Sequence, residues 1–440
     1  MNLFWKKMFG GMLSTSKFEK IEEAAVNDMK RYDEIGQSLE LEEYKKLYHV
    51  VKSSEFKEKK KTLQNRKYKD MEEYRISRKY QKLHDNSGIR QYYETLQSEQ
   101  LKNFLTFKST PEYESLGDKK KVMASDKLRK LKDFENSKEY RNYIRFHDSF
   151  IIKDYEELKI KISAPDFMKM NQFWADQHRW KTVPEYKIEQ RYYELAKNPD
   201  IIFYEKENPV RFDKYRKLKP VFIEQFEWNT LDKSRWAYGF HSANPELIGN
   251  YSFENELQAN SGGKNVSVNN GVFCLETRRE KCISRAWHPT KGFIEKEFDY
   301  TADVVQTADE FRQQYGVFKA KIRCTGRVHH AFWLSNSSPL PHINVFHYDG
   351  KAITMGNAHK NVMDEVRVTG LKHSSFYIYT LVWTPKELIW YINDMEVYRT
   401  TSNVPKDNHL YLGFNSFLPK KGKPSTGSLE VDWVKVLAFN

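Results

Sequence analysis

The sequence predicts two folds in series: an α-helical repeat array over residues 14–218, then an antiparallel β-sandwich of jelly-roll type over residues 219–440. Residues 1–13 form an apolar and basic tail ahead of them. Three observations carry this. The charge shifts near residue 218: residues 219–440 hold 26 Lys+Arg and 23 Asp+Glu, whereas residues 1–218 hold 47 and 37. Fourteen of the 19 glycines fall in the second part. Long Lys-, Glu-, Leu- and Tyr-rich stretches give way to short alternating runs separated by turn residues. At 440 residues the chain has room for more than one core.

The tail, MNLFWKKMFGGMLS, is broken by Lys6 and Lys7 and lacks the continuous apolar segment of a secretory signal. It is expected to fray, to lie on a membrane surface as a short amphipathic segment, or to dock on a partner. No stretch has the roughly 20 apolar residues that span a bilayer. The expected location is the cytoplasm, or a larger particle such as a virion that incorporates the chain. Cys274, Cys282 and Cys324 have no metal-ligand spacing and are expected to be free thiols in a β core.

In the helical half a phrase recurs: VVKSSEF, YRISRKY, FKSTPEY, FENSKEY, ISAPDF and WKTVPEY. An apolar residue closes one helix, a Ser, Thr or Asn caps the next, and an acid follows three residues later. This spacing predicts capping boxes at Ser109/Glu112, Asn136/Glu139, Ser163/Asp166 and Thr182/Glu185. A recurrence of this length suggests stacked helical units. The charges alternate in sign and no nucleic-acid motif accompanies them, so nucleic acid is not an expected partner. A docking arm for protein partners, open to oligomeric assembly, is the expected role.

The second half reads as strands: NVSVNNGVFCLETRR, YGVFKAKIRC, FYIYTLVWTP, ELIWYINDMEVYR, HLYLGFNS and SLEVDWVKVLAF. Parity puts Val266, Val268, Phe273 and Leu275 inward, and the order of landmarks resembles glycoside hydrolase family 16, the laminarinase, lichenase and agarase group. FIEQFEWNTLDKSRW resembles the family's opening strand. NELQANSGGKNVSVNNG resembles N-x-E-x-Q followed by N-V-x-V-x-N-G. YGVFKAKIRC with AFWLS resembles Y-G-x-F-E-A-R-I and its partner strand. YTLVWTPKELIWYINDMEV resembles the W-T-P-x-x-I-x-W-Y-x-D-G hairpin, and LEVDWVKVLAF the closing strand. The resemblance implies a concanavalin A-like jelly roll with a sugar cleft on its concave sheet.

It also places PHINVFHYDG, residues 341–350, where the family carries E-x-D-x-x-E, its nucleophile, tuning Asp and acid/base. Here those positions are His342, Asn344 and His347. On a regular strand 342 and 344 share a face and 347 does not, so a β-bulge is needed to bring all three to the cleft. A retaining glycosidase needs two carboxyl groups about 5–5.5 Å apart, and these three positions supply none. The reading is a non-catalytic pseudo-hydrolase that binds carbohydrate or serves as a structural head on the helical arm. Trp287, His329, His330, Trp333, His342, Asn344 and His347 are the candidate sugar contacts. Trp228, Trp236, Trp383 and Trp390 are expected in the core.

Alternatives stay open. The histidines could be relics in an empty cleft, or could ligate a metal with His329, His330 or His359 added. Asp432 matches a closing-strand Asp that holds a structural calcium in some relatives; no other cofactor is expected. The chain could instead be an active hydrolase or transglycosylase on a β-glucan or galactan, with acids relocated to Asp349, Asp364 or Glu365, or a scaffold that binds only protein.

Overall fold

The computed structural model describes residues 1–5, 9–338, 340–359, 362–419 and 425–440, with the side chain of His359 outside the description. The chain forms two compact units, Ile35–Lys206 and Met1–Glu34 together with Glu207–Asn440. The compositional break near 218 coincides with the start of the first strand, Leu218–Glu224. Where the sequence groups residues 14–34 with the helical array and leaves 1–13 as a tail, the structure packs both on the sandwich.

That packing is specific. Leu3 and Met12 are buried in the sandwich core. Asn2 bridges Thr369 in parallel, and the Leu13 amide donates to Asp394 Oδ1 at 2.9 Å. Lys6 and Lys7 lie outside the described residues. The helix Thr15–Gly36 follows, and its Glu19 and Glu22 pair with Lys321 and Lys319 at 3.0 and 2.7 Å.

The helical unit is a run of short helices, as the sequence predicts. Two details differ. The helices do not simply stack on their sequence neighbours. Leu39–Lys52 packs on Pro184–Leu195, Glu72–His84 on Phe150–Ser163, and Ser87–Gln97 on Lys138–Phe146, so the run folds back on itself in nested pairs. Three core clusters result, around Ile35 and Leu41, around Phe56 and Trp180, and around Phe104 and Tyr140, the first two sharing Tyr44 and Leu47.

The caps also sit one residue later than predicted. Pro111, Pro165 and Pro184 occupy the first helical turn, so Thr110, Ala164 and Val183 become the N-caps, without side-chain bonds. Ser137 rather than Asn136 caps its helix, accepting from the Tyr140 amide at 3.1 Å. The four predicted caps instead donate backward. Ser109 Oγ bonds Thr106 O at 2.8 Å, Asn136 Nδ2 bonds Lys132 O at 3.0 Å, Ser163 Oγ bonds Lys159 O at 2.7 Å, and Thr182 Oγ1 bonds Arg179 O at 2.8 Å. Each adds a side-chain bond to a carbonyl in the last turn of the preceding helix, and Lys132 O takes the Asn136 amide as well.

The sandwich packs an 11-stranded sheet on a 7-stranded one. The smaller sheet runs Val362–Val368, Ile353–His359, His342–Asp349, His329–Ser335, Tyr411–Phe417, Val304–Gln306, Ala237–Tyr238. Its pairings are antiparallel. The inward faces form one continuous core that includes Trp236, Phe318, Phe332, Trp383, Trp390 and Phe414. Val268, Phe273 and Leu275 lie inside as parity requires, with Val266 packed at the margin. Trp228 departs from expectation: it is 70% exposed. Phe226, in the left-handed region at φ +51°, turns the chain and fills the interior against Phe273 in its place.

Candidate functional site

The strand His342–Asp349 carries the bulge that the sequence requires. Asn344 pairs with Gly356 and His347 with Thr354, so three steps on one strand oppose two on the other. The other neighbour shows the same shift, Trp333 opposite Asn344 and Phe332 opposite Phe346. One extra residue restores the parity of His347. Ile343, Val345, Phe346 and Tyr348 therefore point into the core, while His342, Asn344 and His347 line a cleft of about 520 Å³.

The cleft-facing groups form an uncharged network. His342 Nε2 donates to Asn344 Oδ1 at 3.0 Å. His347 Nδ1 meets Thr354 Oγ1 at 3.1 Å, and its Nε2 lies 3.2 Å from His329 Nδ1. One proton serves that last pair, since both nitrogens cannot donate at once. Burial pushes His342 and His329 below the ordinary imidazole value. His347 falls to about 4, through burial and then the neighbouring His329. All three are neutral near pH 7.

Aromatic side chains wall the cleft. Trp333 lies along the floor, its Nε1 donating to Asn415 Oδ1 at 3.0 Å. Gly413 makes this placement feasible, because a Cβ there would meet the Trp333 ring at 2.2 Å. Trp287 forms part of the lining and packs edge-on to Phe293 at 5.1 Å. Phe240, Tyr251, Phe253, Tyr411 and Phe417, which sequence reasoning did not single out, complete the walls. They come from separate segments, and only the strand order of the folded sheet brings them together. His241, also on the wall, sits 3.0 Å from Arg312 Nη2.

Of the seven sequence-predicted contacts, six converge here. His329 reaches the network through His347, and His342, Asn344, His347, Trp287 and Trp333 line the cleft itself. His330 does not. It is fully buried on the opposite face, with Nδ1 2.7 Å from Ser416 Oγ and Nε2 3.1 Å from Thr325 O. Adjacent strand residues face opposite ways, so His329 and His330 cannot share a site.

No Asp or Glu lines the cleft among the described residues. Asp349 is held by Arg367 at 2.5 Å and by the Lys351 and Ala352 amides. Burial works against its charge, but these bonds keep its carboxyl below the usual range. Asp364 accepts from Tyr398 Oη at 2.6 Å and from Thr400. Glu365 is exposed on the edge strand. A carboxyl that sequence reasoning missed, Glu256, accepts from the Phe253 amide at 2.9 Å, and burial raises it to about 7.

Among the described residues no three His, Cys, Asp or Glu side chains are grouped to hold a metal ion. Only His329 and His347 of the proposed ligands approach each other; the side chain of His359 lies outside the description. At Asp432 the residues do not fit a calcium, because the Lys321 ammonium sits 2.8 Å from its carboxylate. The three cysteines are free. No helix among the described residues is long and apolar enough to cross a membrane.

Residues 253–435 match the sequence profile of glycosyl hydrolases family 16. This region carries a family 16 domain. Two curated relatives come from Rhizobium meliloti (strain 1021). The endo-1,3-1,4-β-glycanase ExsH is 26% identical over 198 residues, 40% of this chain and 40% of the relative. The endo-1,3-1,4-β-glycanase EglC is 25% identical over 204 residues, 42% of each. The chain thus matches about two fifths of the length of these relatives. Among solved structures, the catalytic domain of a Thermotoga petrophila RKU-1 laminarinase is 18% identical, covers 51% of this chain and 98% of its own, and has a TM-score of 0.42. The endo-β-1,3-glucanase of Pyrococcus furiosus is 19% identical, with coverage of 51% and 95% and a TM-score of 0.41.

Proposed function

We propose that the family 16 domain binds glycan without cleaving it. One observation carries the reading: the catalytic strand of the family presents His342, Asn344 and His347 to the cleft, and no carboxylate joins them there. Hydrolysis with retention needs one carboxylate to trap or stabilise the oxocarbenium-like transition state and a second carboxyl to protonate the leaving oxygen. Neutral imidazoles and an amide supply neither charge. They do supply hydrogen-bond donors and acceptors between aromatic faces, the chemistry that recognises a pyranose ring.

The helical unit fits an attachment arm. It exposes the single apolar side chains Leu39, Met123, Phe150 and Ile160 at 74–82%, which a protein partner would cover. In this reading the chain is a lectin-like or structural component of a larger assembly, of which a virion is one instance.

A second reading, hydrolysis by relocated acids, is favoured only by Glu256, whose raised pKa suits a proton donor. It has no carboxylate partner on the cleft lining. Asp349 and Asp364 are engaged elsewhere.

Calorimetric titration with β-1,3- and β-1,3-1,4-gluco-oligosaccharides tests the proposal, with agaro- and carrageenan oligosaccharides alongside. Binding is expected for at least one. Trp287→Ala is expected to weaken it about tenfold, about 1.4 kcal/mol. Absence of binding to all of them would leave the domain a protein-only spacer.

A further inference from the structure

Away from the cleft the sandwich has a second cavity, of about 570 Å³, which shares no lining residue with the first. It opens where three connections meet at one end of the sandwich. Residues 325–328 pass from the larger sheet to the cleft sheet, 349–352 turn between two cleft-sheet strands, and 370–376 lead into Tyr377–Trp383. A Cβ on Gly350 would lie 3.3 Å from the Arg327 backbone, so the first two connections touch. The Cys324 amide donates to His373 O at 2.8 Å, which ties in the third.

Tyr348 and Cys324 lie deepest in the cavity. Tyr348 is buried, and its Oη sits 3.1 Å from His373 Nε2. Arg327, Lys351, Thr325 and Ser374 stand at the exposed mouth. No acid lines it. The one carboxylate on the three connections, Asp349, is already engaged by Arg367 and two backbone amides. Among the described residues neither Arg327 nor Lys351 has an ion-pair partner. Two unpaired cations at the mouth of one concavity focus a positive potential into it.

We propose that this end cavity binds the oxyanion of a sugar-sized molecule: a sulfated or carboxylated glycan unit, or a sugar phosphate. The shared chemistry is an oxyanion on a polyhydroxylated ring. Arg327 can grip two of its oxygens with a planar fork, and Lys351 adds a point charge. Ser374 is left for a ring hydroxyl, whereas Thr325 Oγ1 is held by Ser428 and His373 Nε2 by Tyr348. The volume falls in the range of small-molecule pockets, about 300–1,000 Å³, and exceeds what one tetrahedral ion fills. This site stands independently of any glycan in the cleft.

Titration of the full chain with dextran sulfate oligosaccharides, oligoglucuronate and glucose 6-phosphate, with neutral dextran oligosaccharides as control, tests it. At least one acidic probe is expected to bind and the neutral one is not. Arg327→Ala/Lys351→Ala should weaken the acidic probe at least tenfold with an unchanged circular-dichroism melt, and Arg327→Lys should lose only part. Lys119→Ala/Lys120→Ala removes equal charge from the helical unit and should change affinity less than twofold, which separates the site from the chain's general basicity. Tighter binding of the polymers assigns a glycan source; tighter binding of glucose 6-phosphate assigns a small phosphorylated one. Failure of every acidic probe to bind, or equal effects of the two double variants, overturns the proposal.

Discussion

On its inner face the strand His342–Asp349 packs Ile343, Val345, Phe346 and Tyr348 into the sandwich core. On its outer face the same eight residues offer His342, Asn344 and His347 to the cleft. The inner face is what any sandwich of this size needs, and its side chains suit the fold. The outer face carries the chemistry, and among the described residues it brings no carboxylate to the cleft lining, its one acid, Asp349, being engaged by Arg367. Fold and activity are thus separable on a single strand, because side chains that alternate across a sheet answer to different neighbours.

The largest expected difference between the faces is in stability. Phe346→Ala removes a ring that packs 4.6 Å from Tyr379, and is expected to cost about 3–5 kcal/mol in chemical denaturation. Asn344→Ala on the outer face loses one side-chain hydrogen bond and is expected to cost about 1 kcal/mol. Equal costs would break the comparison.

Acid should expose the same asymmetry. His330 and His347 are both depressed to about 4, chiefly by burial. The unfolded chain takes up their protons near pH 6.5, before the folded chain does, so stability is lost as the pH falls from about 6.5 to about 4 and levels off below. Each contributes on the order of a few kcal/mol at the acid end. Denaturation midpoints across that window are expected to fall in wild type and to fall less steeply in His330→Gln, where the His347 contribution remains.

A smaller effect concerns the floor. Gly413→Ala drives a methyl into the Trp333 ring and is expected to destabilise by about 1–3 kcal/mol while weakening glycan affinity several-fold. In the helical unit, Ser137→Ala is expected to cost about 1 kcal/mol and Asn136→Ala less than half of that. The reverse order would restore the cap predicted from spacing alone.

These cases show where the sequence was legible. Five landmarks in order point to the sandwich, and the parity of His347 against His342 and Asn344 requires a bulge. The same rule applied to His329 and His330 excludes one of them from the cleft, a deduction the spacing allowed but the resemblance obscured. Three of the four caps were displaced by one residue because proline in the first turn fixes the residue before it; the fourth moved to Ser137, whose hydroxyl accepts from the Tyr140 amide. The nested helix pairs were not legible, since a local recurrence specifies where helices end and not which distant helix covers which face. Nor were Tyr251, Phe253 and Tyr411, whose convergence depends on long-range strand order.

The most direct test of the central claim is release of new reducing ends from laminarin, lichenan, agarose and carrageenan by the purified full chain. The account predicts none above a heat-treated control, together with retained oligosaccharide binding under the same conditions. Turnover that disappears in Glu256→Gln, Asp349→Asn or Glu365→Gln would contradict it.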